Sequence, residues 1–154
     1  MEFLDDMKVS VPFEIFGTDI SETAIERARA GTYKGAALAH VSPLRLARFF
    51  TTTERGHQIA KIIRDACVFA RHNVAQDPPF SRLDLISCCN VLIYLGPLLQ
   101  RKVLSILHYA LKPTGFLVLG PSESIGTLSE SFHQVVGTHK IYCTRPAASA
   151  PRHA

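Results

Sequence analysis

The 154-residue sequence lacks most of the patterns that announce a function. No two of its nine glycines stand one residue apart. The G-x-G turn of a nicotinamide-binding sheet is therefore missing, which disfavours a dehydrogenase. The four cysteines, Cys67, Cys88, Cys89 and Cys143, contain no C-x-x-C pair and are read as buried reduced thiols, the neighbours Cys88 and Cys89 pointing to opposite faces of a strand. Seven histidines are dispersed, none four residues from another with an acid between, so no metal is expected. Seventeen Lys and Arg against thirteen Asp and Glu give +4 without a run of five basic residues, and nucleic acid is not implied. No apolar run is long enough to span a bilayer, and the N-terminus MEFLDDMKVS is acidic where a signal peptide is basic. A soluble, cytoplasmic protein is expected.

What is present reads as one globular α/β domain, with 47% hydrophobic residues and no internal repeat. Residues 81–94, SRLDLISCCNVLIY, are the centre of it. Leu83, Leu85 and Ile86 form the apolar run of a strand covered on both faces, and Asn90 and Tyr94 follow its carboxyl end, where parallel sheets bind ligands. Residues 12–20 read as an earlier strand ending at Asp19. The helix after it is capped by Ser21, with Glu22 in its first turn, Arg27 and Arg29 in its last, and Gly31 as its stop. Asp19 is placed either to accept hydrogen bonds from a ribose diol or to cap that helix beside Ser21.

Residues 32–66 are less regular, with a short helix opened by Ser42 and Pro43, and read as a small insertion. Residues 66–74 read as a strand ending in His72 and Asn73, the latter a usual turn residue. Gly96 and Pro97 open a long amphipathic helix with Leu99, Val103, Ile106, Leu107 and Ala110 on one face. Lys112 to Gly115 stop it, and residues 116–119 make a third buried strand. Residues 132–136 and 140–144 flank Gly137 and Thr138 as an antiparallel hairpin. Residues 146–154 read as a disordered tail. The sheet is then mostly parallel, Rossmann-like, with a C-terminal antiparallel hairpin.

The segments GTDIS, AIERARAGTY, LARFF, IRDACVFARHNV, FSRLDLISCCNVLIYL, LKPTGFLVLGPSES and HKIYCTR, in this order over about residues 14–145, together resemble the CheR-type chemoreceptor glutamate O-methyltransferases. In style they are similar to the CheR-like module of multidomain signalling proteins. The resemblance implies transfer of a methyl group from S-adenosyl-L-methionine to glutamate side chains of a receptor-type protein, giving a methyl ester and S-adenosyl-L-homocysteine. A glutamate carboxylate, with a reference pKa of about 4.3, needs no general base near neutrality. Positioning it in line behind the methyl group supplies most of the rate, in a rather dry pocket.

The resemblance also distributes roles. Asp19 would hold the ribose hydroxyls, Asn73 and the backbone of Val74 would border the adenine, and Asn90 would line the cofactor pocket. The Tyr94 hydroxyl would lie near the transferred methyl and orient the incoming carboxylate, unless Tyr94 is a half-buried core residue. Ser122 and Glu123 match a recurring family segment and are read as turn residues. Cys89 stands on the pocket rim where the family usually has Arg, which removes a fixed charge and five donors. The family's first strand and its glycine-bearing turn are missing as well, and so is its N-terminal helical domain. Residues 1–11 are a lead-in, and residues 12–145 a partial methyltransferase domain with the insertion at 32–66. Two strand edges are left without a partner, so the chain is a fragment of a longer enzyme, pairs the two edges directly, or has its sheet completed by a second copy; a fragment that associates as a homodimer is the favoured expectation. The alternative is a non-catalytic signalling or interaction module that keeps the fold without binding cofactor.

Overall fold

The computed structural model describes residues 1–126 and 128–145. The chain divides into two compact units, Met1–Asn73 and Val74 onward. The sequence-predicted tail at 146–154 lies outside the described residues.

In the first unit β1 (Ile15–Asp19) pairs in parallel with β5 (Cys67–Arg71), placing Asp19 opposite Arg71 at one end. Gly17 lies under the ring of Phe69, where a Cβ would sit 2.5 Å from the ring carbons. Between these strands runs α2 (Glu22–Ala30), built as its sequence predicts: the Ser21 hydroxyl accepts from the Ala24 N–H at 3.3 Å, and Gly31 closes it in the left-handed region, φ 59°. Ile25 is its buried anchor, and the Arg29 guanidinium donates to the Phe69 carbonyl at 2.9 and 3.2 Å, tying helix to strand.

The stretch read as an insertion forms its own antiparallel sheet, β2 (Thr32–Tyr33), β4 (Gly56–Ile59) and β3 (Phe50–Thr53), in that spatial order. The threonine run and Gly56 make a hairpin that no alternating apolar pattern announced. Helix α3 (Pro43–Phe49) is capped by Ser42. Its Arg45 and Arg48 make exposed ion pairs with Glu2 and Asp5 of the short α1 (Glu2–Asp6), contacts that solvent screens. A single helical turn, α4 (Lys61–Asp65), leads into β5.

The second unit holds a four-stranded sheet in the order β6, β7, β9, β8: β6 (Leu83–Cys88), β7 (Leu111–Leu119), β8 (Phe132–Val136) and β9 (Ile141–Thr144). β6 and β7 are parallel, and the terminal hairpin joins antiparallel, as the sequence predicts. The register passes from Leu83 opposite Leu111 to Leu85 opposite Phe116, so Lys112–Gly115 is looped out of the ladder. The buried Thr144 hydroxyl, shared between the Lys112 and Pro113 carbonyls at 3.0 and 2.7 Å, holds that loop.

Helix α5 (Pro97–Ala110) covers one face. Its Val103, Leu104 and Leu107 pack with Cys88, Leu117, Leu119, Phe132 and Tyr142 into the core. Leu104 takes the place that the sequence reading gave to Leu99, which is 37% exposed. The opposite face carries Leu85 and Phe116, cross-strand partners left 59% and 41% exposed. The sequence reading expects cover on both faces; within the second unit α5 covers one of them. Strand alternation explains the division, since Ile86 and Cys88 point to α5 while Leu85 and Ser87 point away.

Candidate functional site

The sequence-predicted residues cluster at strand carboxyl ends, within each unit. In the first unit Asp19 closes β1, and Asn73 lies two residues beyond β5. The His72 N–H donates to the Asp19 carbonyl at 2.9 Å, so the two strand ends are tied together. The Asp19 carboxylate accepts from the Ser21 N–H through Oδ1 at 2.8 Å, which is the helix-entry role weighed from the sequence. Its Oδ2 accepts no hydrogen bond from the described residues and the side chain is exposed, so the carboxylate retains capacity for a ligand.

In the second unit Cys89, Asn90 and Tyr94 follow β6 in one short loop, while the Val74 side chain packs against the core. Cys88 is buried and Cys89 exposed, the alternation expected at a strand end. The reading of all four thiols as buried holds for Cys88 alone: Cys67 and Cys143 are half-buried, and Cys89 is exposed with its Sγ 3.6 Å from Ser87 Oγ. Burial first, then the Glu123 carboxylate and Cys89, push the Cys88 thiol up to about 11, so it stays protonated and inert. Tyr94 ends a 3-10 turn, Leu92–Tyr94, with 80% of its surface exposed, so it is not a core tyrosine.

The residue that sequence reasoning undervalued is Glu123, read as a turn residue. It is 4% exposed, and its carboxylate accepts four backbone N–H bonds. Oε1 takes Val91 at 2.9 Å and Leu92 at 2.8 Å; Oε2 takes Gly120 at 2.8 Å and Asn90 at 3.1 Å. Asn90 is left-handed, φ 59°, a conformation that Asn tolerates better than most residues. The signal for this was a lone acid three residues after the glycine that ends an apolar strand. What it bonds could not be read from the sequence, because the acceptor and three of its donors are more than 30 residues apart.

Burial pushes the Glu123 carboxyl up, but the four N–H donors outweigh it and hold its pKa below the ordinary carboxylate range. A folded value below the unfolded one means that its contribution is fully present above the unfolded pKa of about 4.3. That contribution is lost as the pH falls through the folded value. Among the described residues no group of His, Cys, Asp and Glu could hold a metal ion, and no helix is long and apolar enough to cross a membrane. A cavity of about 540 Å³, lined by Ser81, Arg82, Tyr109 and Lys112 among others, opens at the amino end of β6, the end remote from Asn90.

Comparison with known proteins gives a consistent picture. The family described as CheR methyltransferase, SAM binding domain, matches residues 2–141. An uncharacterized 104.1 kDa protein of Rhodobacter capsulatus is 40% identical over 137 residues, which are 88% of this chain and 14% of that protein. A chemotaxis protein methyltransferase of Pseudomonas aeruginosa is 33% identical, covering 86% of this chain and 48% of that protein. One of Vibrio parahaemolyticus is 36% identical over 79% of this chain and 45% of its own length. The chain thus spans less than half of each of these three relatives.

Proposed function

The chain belongs to the CheR methyltransferase family, SAM-binding domain, and from that premise we propose that it is the cofactor-binding part of a protein-glutamate O-methyltransferase acting on chemoreceptor-type proteins. The observation that carries the proposal is the placement of Asp19, Asn73, Asn90 and Tyr94 at or just past the carboxyl ends of parallel strands, where α/β sheets bind ligands. S-adenosyl-L-methionine, when bound, supplies a methyl group made electrophilic by a sulfonium.

The donor set fits such a cofactor. Asp19 keeps one carboxylate oxygen that would take the ribose hydroxyls, and Asn73 and the Val74 backbone would border the adenine. In the second unit Asn90 and the exposed Cys89 would face the cofactor. Tyr94 presents its hydroxyl to the methyl-accepting carboxylate. Residues 12–145 form the methyltransferase portion and 32–66 its insertion. The cytoplasm, where thiols stay reduced, suits four free cysteines.

Calorimetric titration with S-adenosyl-L-homocysteine tests the proposal, with saturable binding expected from the natural protein that contains these residues. Absence of binding would leave the non-catalytic interaction module, which Cys89 in place of the usual Arg favours.

We also propose that the isolated chain associates as a homodimer. Among the described residues β1 forms a ladder with β5 and β6 one with β7, and within the second unit α5 leaves Leu85 and Phe116 on the face it does not cover. Sedimentation velocity should show a dimer at micromolar concentration. A compact monomer that unfolds in one cooperative transition would overturn this.

A further inference from the structure

We propose that Glu123 is a positioning residue for the cofactor site: its buried carboxylate holds Asn90 in the left-handed conformation and caps the turn that presents Tyr94. The geometry is complete within the second unit. Three of the four amides that Glu123 binds, those of Asn90, Val91 and Leu92, are consecutive and stand at the start of the 3-10 turn. The first amides of a helical turn have no partner within it, and a carboxylate is the best acceptor for them.

The fourth amide, Gly120, ends β7 beside the end of β6, since Leu119 lies opposite Cys88. The carboxylate therefore joins the carboxyl ends of two neighbouring strands. Gly120 suits this arrangement, because a Cβ there would sit 2.8 Å from Oε2 and force the carboxylate off its four amides. With every oxygen doubly occupied by the backbone, Glu123 has no part in acid or base chemistry. It acts through Asn90 and Tyr94, and in this it rests on the site proposed above.

Glu123→Gln turns one oxygen into an NH₂ group facing two backbone donors, so two of the four bonds become repulsive contacts. The affinity for S-adenosyl-L-homocysteine is expected to fall at least about 10-fold. Hydrogen exchange at Asn90, Val91, Leu92 and Gly120 should accelerate about 10-fold or more, while Leu104 and Leu117 keep their protection. Adding Asn90→Ala to Glu123→Gln should weaken binding by less than about 2-fold, because both changes act on one loop.

Unchanged exchange at the four amides, acceleration spread evenly through α5 and β7, or fully additive losses would each overturn the proposal. Failure of the unsubstituted protein to bind S-adenosyl-L-homocysteine would instead overturn the function on which it rests. Should Glu123→Gln not fold, Gly120→Ala displaces the carboxylate while keeping its charge, and the same four amides must respond.

Discussion

Replacing Asp19 by Ala is expected to raise the dissociation constant for S-adenosyl-L-homocysteine about 100-fold. Each hydrogen bond to a charged group contributes about 1.5–3 kcal/mol, and two ribose hydroxyls to one carboxylate bring about 3 kcal/mol, near 100-fold. The structure supplies the pre-organisation that this magnitude needs. Oδ1 is held by the Ser21 N–H at 2.8 Å, so the carboxylate plane is set before any ligand arrives.

Asp19→Ala also removes that turn and weakens the start of α2, a loss of about 1 kcal/mol comparable to losing a helix cap. Two controls separate the effects. Ser21→Ala removes the hydroxyl that accepts from the Ala24 N–H, costing about 1 kcal/mol of stability and leaving affinity within about 2-fold. Asp19→Asn keeps an acceptor for Ser21 and is expected to lose about 10-fold in affinity with little change in stability. A dissociation constant for Asp19→Ala within about 3-fold of the unsubstituted protein would reduce Asp19 to a helix-entry residue.

The second large effect concerns stability. Phe132→Ala is expected to cost about 4 kcal/mol, measured as a lower urea midpoint with little change in slope. Phe132 is 1% exposed and meets the His108 ring edge-on at 5.1 Å and 87°. It is the largest of the fully buried side chains and pins the outer strand β8 to helix α5. Nothing around it is positioned to refill the space cheaply, because Leu104 and Leu117 are themselves fully packed. For a domain whose whole stability is on the order of 5–15 kcal/mol, such a loss approaches unfolding. A cost below about 1 kcal/mol would mean that the hairpin is not part of the cooperative core.

Much of the fold was legible because local rules sufficed. Ser21 and Gly31 bound α2, Ser42 opens α3, Pro97 starts α5, and the turn after Val136 returns the chain as an antiparallel pair, all from short-range chemistry. The β3–β4 hairpin escaped because its threonines and Gly56 show no period-two apolar pattern, and its pairing is decided by backbone geometry. Leu85 and Phe116 were ambiguous because an apolar run is the same whether both faces are covered or one is. At the site, Asp19, Asn90 and Tyr94 were identifiable as polar residues following apolar strands. Tyr94 could not be placed in solvent or core from sequence, since its ring suits either.

The sequence by itself determined helices α2, α3 and α5, the strands of the parallel pairs, the terminal hairpin, the family, and the strand ends where chemistry gathers, because these depend on periodicity, capping and short motifs. Only the tertiary structure decided that Glu123 binds the Asn90–Leu92 amides, that Cys89 is exposed beside a buried Cys88, and that residues 50–59 pair as a hairpin. These outcomes depend on which distant backbone groups meet, and a carboxylate in a linear sequence carries no mark of the amides that folding will bring to it.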